Sequence, residues 1–197
     1  AIETTTTKSQ GRPRSQKCYR AILNATIELL EDRTVRELSI EAIAKKAGVG
    51  KTTIYRWWPC KTAVVFDAFL EYMLPHTEYP ECDSAIEAIC EQVKLVVAAF
   101  SGKIGRILAE ILAEGQSDPE RLVEYRERFL NGRRAAAAQL IARGKKNGEF
   151  PPDLDTDLAI DIIYGPIYYR LLVGHLPLDR NFGDNLAKQA IQGLKAR

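Results

Sequence analysis

The chain has 197 residues, of which 46% are hydrophobic and 27% charged, with a formal net charge of +2. That composition suits one or two compact domains with an apolar core and excludes a low-complexity or fibrous chain. The charge is uneven: up to Lys61 there are twelve basic and six acidic residues, so this third stands at +6 and the remainder at −4. A basic segment on an acidic body points to a polyanion partner for that segment, although a solvated basic face has the same composition.

Residues 1–15 are polar and Thr-rich and read as a flexible arm. Within it, Gly11-Arg12-Pro13-Arg14 is expected to be extended, because proline disfavours helix at the residue before it. Basic arms of this kind lie in narrow minor grooves, where the negative potential favours arginine. Arg12 and Arg14 are therefore candidate DNA contacts. A helix is predicted from Gln16 to Glu31, with Ile22, Leu29 and Leu30 inward.

Ser39 to Lys61 carries the most specific pattern. Ser39 can cap a helix whose apolar face is Ile43, Ala44 and Ala47. Leu38 and Ile43 are spaced as a hydrophobic staple, and Glu41 suits the positive end of the helix dipole. Gly48 can end this helix with positive φ. A second short helix follows, with Ile54 inward and Lys51, Thr52, Thr53, Tyr55 and Arg56 outward. Small Ala44 at the crossing, Gly48 at the turn and Ile54 as anchor have the spacing of a helix-turn-helix. The second helix is then the one that enters a major groove. An ordinary helical hairpin is the alternative. Gly48-Val49-Gly50-Lys51-Thr52-Thr53 also imitates part of a nucleotide-binding P-loop. The full P-loop pattern needs a glycine where Lys45 stands and a strand where an amphipathic helix is predicted.

After Pro59 a helix is predicted from about Lys61 to Met73, and Pro75 and Pro80 mark a hinge. Helices then follow over Ser84 to Phe100 and Ile104 to Glu114. Another starts at Asp118-Pro119-Glu120 and ends by Gly148, with Gly132 a place for a bend. The next runs from Asp155 or Thr156 to about Val173, with Pro166 a source of a kink. The last is capped by Asp179. No alternating pattern predicts a strand, so the fold class is all-α. The expected domains are a 1–15 arm, a 16–61 DNA-binding domain and a 62–197 helical body.

Cys18, Cys60, Cys82 and Cys90 are scattered, without a Cys-x-x-Cys pair, and read as reduced thiols rather than metal ligands or disulfides. No signal peptide is visible, and the most apolar run, Leu95 to Phe100, is too short to cross a bilayer. A cytoplasmic protein with no membrane partner is expected. His76 and His175 stand alone, so no catalytic constellation, metal site or cofactor is predicted.

The chain resembles the TetR family of bacterial transcription regulators. The likeness rests on Leu38-Ser39-Ile40-Glu41-Ala42-Ile43-Ala44, Ala47-Gly48-Val49, and Thr53-Ile54-Tyr55-Arg56-Trp57-Trp58-Pro59 with Lys61. A looser likeness to one large subgroup runs through Arg143-Gly144, Gly148-Glu149, Pro152-Asp153-Leu154-Asp155 and Tyr164-Gly165-Pro166-Ile167-Tyr168-Tyr169-Arg170-Leu171-Leu172. The resemblance implies an N-terminal three-helix DNA-binding domain and a C-terminal helical bundle that dimerises. It implies a homodimeric repressor that reads palindromic double-stranded operator DNA and is released by a small apolar effector. It places Lys51, Thr52 and Thr53 near bases or phosphates. Tyr55, Trp57 and Lys61 fall at the backbone, and Trp58 inward; Ser39 and Arg56 are further DNA-contact candidates. Trp57 stands where the family often has histidine, Cys60 where a capping residue is common, and Gly50 where serine is frequent. Pocket candidates are Phe100, Ile104, Leu108, Tyr125, Phe129, Tyr164 and Tyr168, centred near Gly165 and Pro166. Interface candidates on the last two long helices are Ile163, Ile167, Leu171, Leu186, Ala190 and Leu194. A small-molecule-binding helical dimer with no DNA role, an activator, and a repressor without effector remain alternatives.

Overall fold

The computed structural model describes residues 13–196, with side chains from Gln16 onward. Every regular element among them is helical. Two compact units divide between Ala68 and Phe69.

In the first unit, α1 (Pro13–Leu29), α2 (Ile40–Ala47) and α3 (Lys51–Tyr55) precede the opening turns of α4 (Lys61–Met73). Helix α1 starts three residues earlier than the predicted Gln16, with Pro13 as its first residue. A proline there loses no intrahelical hydrogen bond and brings a helical φ, so the backbone of Pro13 and Arg14 is helical rather than extended. Ile22, Leu30, Ile43, Ile54, Val64 and Val65 fill the core. The Ser39 hydroxyl accepts from the Ala42 N–H at 3.1 Å. Gly48 ends α2 at φ 68°, and its N–H returns to the Ala44 and Lys45 carbonyls. A side chain at that φ is strained, which is why glycine stands there.

The division falls within α4, not at the expected 61/62 boundary. Asp67 explains the shift. Its Oδ2 accepts from the Tyr19 hydroxyl at 3.1 Å and from Trp58 Nε1–H at 2.8 Å, so the first turns of α4 are bonded back to α1.

The second unit takes the end of α4, then α5 (Ala85–Phe100), α6 (Lys103–Ser117), α7 (Pro119–Tyr125), α8 (Asn131–Lys146), α9 (Thr156–Val173) and α10 (Arg180–Leu194). Helix α5 is central, packing on α6, α8, α9 and α10. Its buried face is Ala88, Ile89, Gln92, Val93, Val96, Val97 and Phe100. Ser84, Asp155 and Asp179 cap α5, α9 and α10 by accepting from the N–H three residues on. The predicted hinge at Pro75–Pro80 is instead bonded into this unit. Thr77 is fully buried, its hydroxyl donates to the Met73 carbonyl at 3.0 Å, and its own carbonyl accepts from Gln92 Nε2 at 3.2 Å. Gly132 falls in the first turn of α8, and the chain between α7 and α8 stays helical. It passes through a π-helical stretch, Arg126–Leu130, of the kind that resets helical register near functional sites. Helix α9 runs through Pro166 unbroken. Among the described residues no helix is long and apolar enough to cross a membrane.

Candidate nucleic-acid interface and apolar cavity

Helix α3 has five residues, and only Ile54 among them is buried. Tyr55 is 52% exposed and Trp57, just beyond, 42%; Lys51, Thr52 and Arg56 are exposed and Thr53 half-buried. One anchor holds the helix down while its other faces stand in solvent. Behind it, Trp58 is buried and stacks on Tyr19 with ring centroids 4.9 Å apart, while Trp57 leans on Tyr19 at 5.2 Å. This aromatic clamp was not legible in the motif, because Tyr19 and Asp67 lie outside it.

Two basic groups of this face already have partners. Lys51 Nζ is 3.0 Å from Glu41 Oε1. The hydrogen bond between them raises the Lys51 ammonium and lowers the Glu41 carboxyl from their ordinary values. Lys61 Nζ donates to the Arg36 carbonyl at 3.0 Å. Ser39 has its oxygen engaged as the α2 cap and keeps one O–H to donate. Arg12 and the side chain of Arg14 lie outside the described residues. The sequence Gly48–Thr53 follows helix α2 and not a strand, which removes the P-loop alternative.

The second unit contains a cavity of about 370 Å3, within the usual size of small-molecule sites, roughly 300–1,000 Å3. Phe100, Tyr125, Phe129, Tyr164 and Tyr168 line it, together with Gly165. Two expected residues do not. Leu108 is fully buried in the core of α6. Ile104 lines a separate groove with Tyr72, His76 and Leu95, because it stands on the first turn of α6. Gln92, Tyr79, Arg133, Arg134 and Asp161 also line the cavity and were missed, since polar residues do not register in an apolar periodicity.

The cavity's polar atoms form an ordered relay. Tyr164 donates to Gln92 Oε1 at 2.6 Å, so its contact with the Tyr79 hydroxyl at 2.7 Å is accepted from Tyr79. Gln92 Nε2 then donates to the Thr77 carbonyl, which also accepts from Arg133. On another wall the Tyr125 and Tyr168 hydroxyls share one bond of 2.9 Å. Burial raises all four tyrosines above their ordinary range, so they act as neutral hydroxyls at physiological pH.

Four of the six interface candidates are covered by the chain itself. Ile163 and Ile167 are buried within the chain, as are Ala190 and Leu194; their periodicity is that of the core. Leu171 and Leu186 are half-buried. The apolar residues that α9 leaves in solvent are Leu158, Ile162, Tyr169, Leu172 and Val173, spaced along one helical face.

Comparison with known proteins agrees with this architecture. The family model described as "Bacterial regulatory proteins, tetR family" matches residues 22–68, and "Tetracyclin repressor-like, C-terminal domain" matches residues 80–190. The chain belongs to the TetR family. It is 34% identical to the helix-turn-helix transcriptional regulator YdeS of Bacillus subtilis strain 168 over 95% of this chain and 94% of that one. It is 26% identical to the regulator AqdR of Rhodococcus erythropolis over 86% of this chain and 81% of that one. The fold is similar to that of FadR from Bacillus subtilis, solved in complex with stearoyl-CoA. The TM-score is 0.74 at 22% identity, covering 89% of this chain and 98% of that one. This TetR-family chain is a DNA-binding transcriptional regulator and not an enzyme.

Proposed function

We propose that the protein is a homodimeric repressor, acting in the cytoplasm on a palindromic operator and released when a small, largely apolar molecule fills the cavity of the second unit. The observation that carries this reading is the presentation of α3: one buried residue, Ile54, beneath a helix whose Lys51, Thr52 and Tyr55 are exposed and whose Thr53 is half-buried. Phosphate contacts from Lys51, Tyr55, Arg56, Trp57 and Lys61 supply most of the affinity and make it salt-dependent. Thr52 and Thr53 face base edges.

The exposed apolar stripe Leu158, Ile162, Tyr169, Leu172 and Val173 supports dimerisation through α9, because a contiguous apolar face of this kind marks an interaction surface. The cavity supports the effector, as does a relative of the same fold that holds stearoyl-CoA. Release works by spacing. Two reading helices bind successive major grooves about 34–36 Å apart, and a ligand that favours another spacing lowers operator affinity.

Fluorescence anisotropy with DNA from the protein's own promoter tests the reading. The wild type prefers this duplex to random DNA at moderate salt, and Tyr55→Ala with Lys61→Ala weakens binding about 100-fold without lowering the melting temperature. Equal binding to both duplexes defeats the proposal.

A further inference from the structure

The polar groups around the cavity are matched to one kind of ligand. Arg133 and Arg134 are adjacent on α8 and both line the wall, yet their partners differ. Arg134 bonds Asp161 at 2.5 Å and Asp157 at 2.9 Å. Asp161, the one carboxylate among the described lining residues, is thereby neutralised. Arg133 is half-buried, donates to the Thr77 carbonyl and lies 6.0 Å from the centre of the Phe129 ring. It has no carboxylate partner among the described residues. Its charge acts on the Tyr79, Tyr164 and Tyr168 hydroxyls, opposing the effect of burial on each, so its field lies across the cavity.

Counting protons leads to the same conclusion. A guanidinium has five N–H donors, and one contact of Arg133 is to the Thr77 carbonyl. Tyr125 and Tyr168 have two hydroxyl protons and one bond between them, which leaves one O–H to donate. Gln92 uses one amide N–H on Thr77 and keeps a second. The wall therefore holds unused donors and a positive charge, while its carboxylate is already paired. An apolar site with surplus donors selects an apolar molecule with a strong acceptor.

We propose that the cavity's ligand is an apolar chain or ring ending in a carboxylate, with the carboxylate held by Arg133 and the body lying against Phe100, Phe129, Val96 and Leu112. The proposal rests on the reading of this cavity as the effector site and adds the chemistry of the effector's head group.

The test is calorimetric titration of the full chain with matched probes: dodecanoate, methyl dodecanoate and dodecylammonium, then 2-naphthoate and its methyl ester. At least one acid binds about tenfold or more tightly than its own ester, as expected for a charge-assisted hydrogen bond in a sheltered site. The pair that binds identifies chain or ring. Arg133→Met removes the acid's advantage and leaves ester binding within about twofold, and Arg133→Lys restores part of it. Acid and ester binding equally, no probe binding, or dodecylammonium binding as tightly as dodecanoate each overturns the proposal. So does Arg133→Met weakening acid and ester alike, which marks a structural role. If the Met variant does not fold, the wild-type ratio and the Lys variant decide. Anisotropy separates the two readings. An acid that binds without weakening operator binding defeats release but leaves the head-group assignment. An ester that matches its acid and still releases DNA does the reverse.

Discussion

The reading head and the cavity are built in opposite ways. The head is contiguous: Ser39 caps α2, Gly48 turns the chain, and Ile54 anchors α3, all within sixteen residues of sequence. The cavity draws Met73 from α4, Val96 from α5, Leu112 from α6, Arg133 from α8 and Tyr164 from α9. A contiguous device needs only a firm base, so its exposed side chains can change without unfolding anything. A distributed one depends on every helix-to-helix distance at once. Substitutions at the packed positions of the second unit should therefore register as lost stability, and those on α3 as altered affinity.

Gly105 gives the largest expected effect. A Cβ there would stand 1.9 Å from the Phe100 carbonyl oxygen and 2.7 Å from its carbon, and backbone cannot rotate away as a side chain can. Gly105→Ala must push the start of α6 off the end of α5, on which Phe100 lines the cavity. The expected loss is about 2–3 kcal/mol, the upper range for overpacking, read by denaturant unfolding. Gly132→Ala is the control, since nothing lies within 4 Å of its Cβ position; an exposed helical Gly→Ala change gains about 0.5–1 kcal/mol. Similar behaviour of the two variants would break the claim that the body is limited by helix approach.

Glu149 comes next. It lies in the turn after α8 but serves the N-terminus of α5. Its carboxylate accepts from the Ala85 and Ile86 N–H groups, each at 3.0 Å, and from the Ser84 hydroxyl at 2.5 Å. Burial raises its pKa, but the Ile86, Ser84, Ala85 and Asn147 hydrogen bonds outweigh it and the net shift is downward. A depressed carboxyl stabilises the fold above its unfolded value of about 4.3. That contribution is lost as pH falls through the lower folded value. Glu149→Gln should cost about 1–2 kcal/mol at neutral pH, and the deficit relative to wild type should shrink below about pH 4. A deficit that stays constant down to pH 3 excludes the charge as its source.

These cases also show what could be read in the chain beforehand. Caps, turn glycine and anchor are local, and Ser39, Gly48 and Ile54 act as their spacing predicted. The aromatic residues that line the cavity are large apolar positions on helices that have to meet. Arg133 and Gln92 were not legible, because their role depends on which polar partners lie opposite them. Four interface candidates lie in the core for a related reason. Ile163 and Ile167 share their helix with Ile162 and Tyr169, and periodicity alone does not say which face the rest of the chain covers. The Pro75–Pro80 hinge failed because Thr77 bonds Gln92, fifteen residues away.

The smallest effect belongs to the reading head. Glu41 and Lys51 are both exposed, and their 3.0 Å ion pair should add little to stability, as surface pairs generally do. Its consequence lies in binding. Lys51 can turn to a phosphate only by leaving Glu41, and the carboxylate that stays behind repels the duplex. Glu41→Gln keeps the side chain's length, removes the charge and frees the ammonium. Operator affinity should rise about two- to fivefold at low salt, the range that a surface ion pair can withhold. The gain should fade as added salt screens both effects, while the melting temperature stays within error. A drop in affinity would mean that Glu41 orients Lys51 for the duplex instead of competing with it. A change in melting temperature larger than that in affinity would show that this face contributes to the fold after all, and the contrast between head and body would not hold.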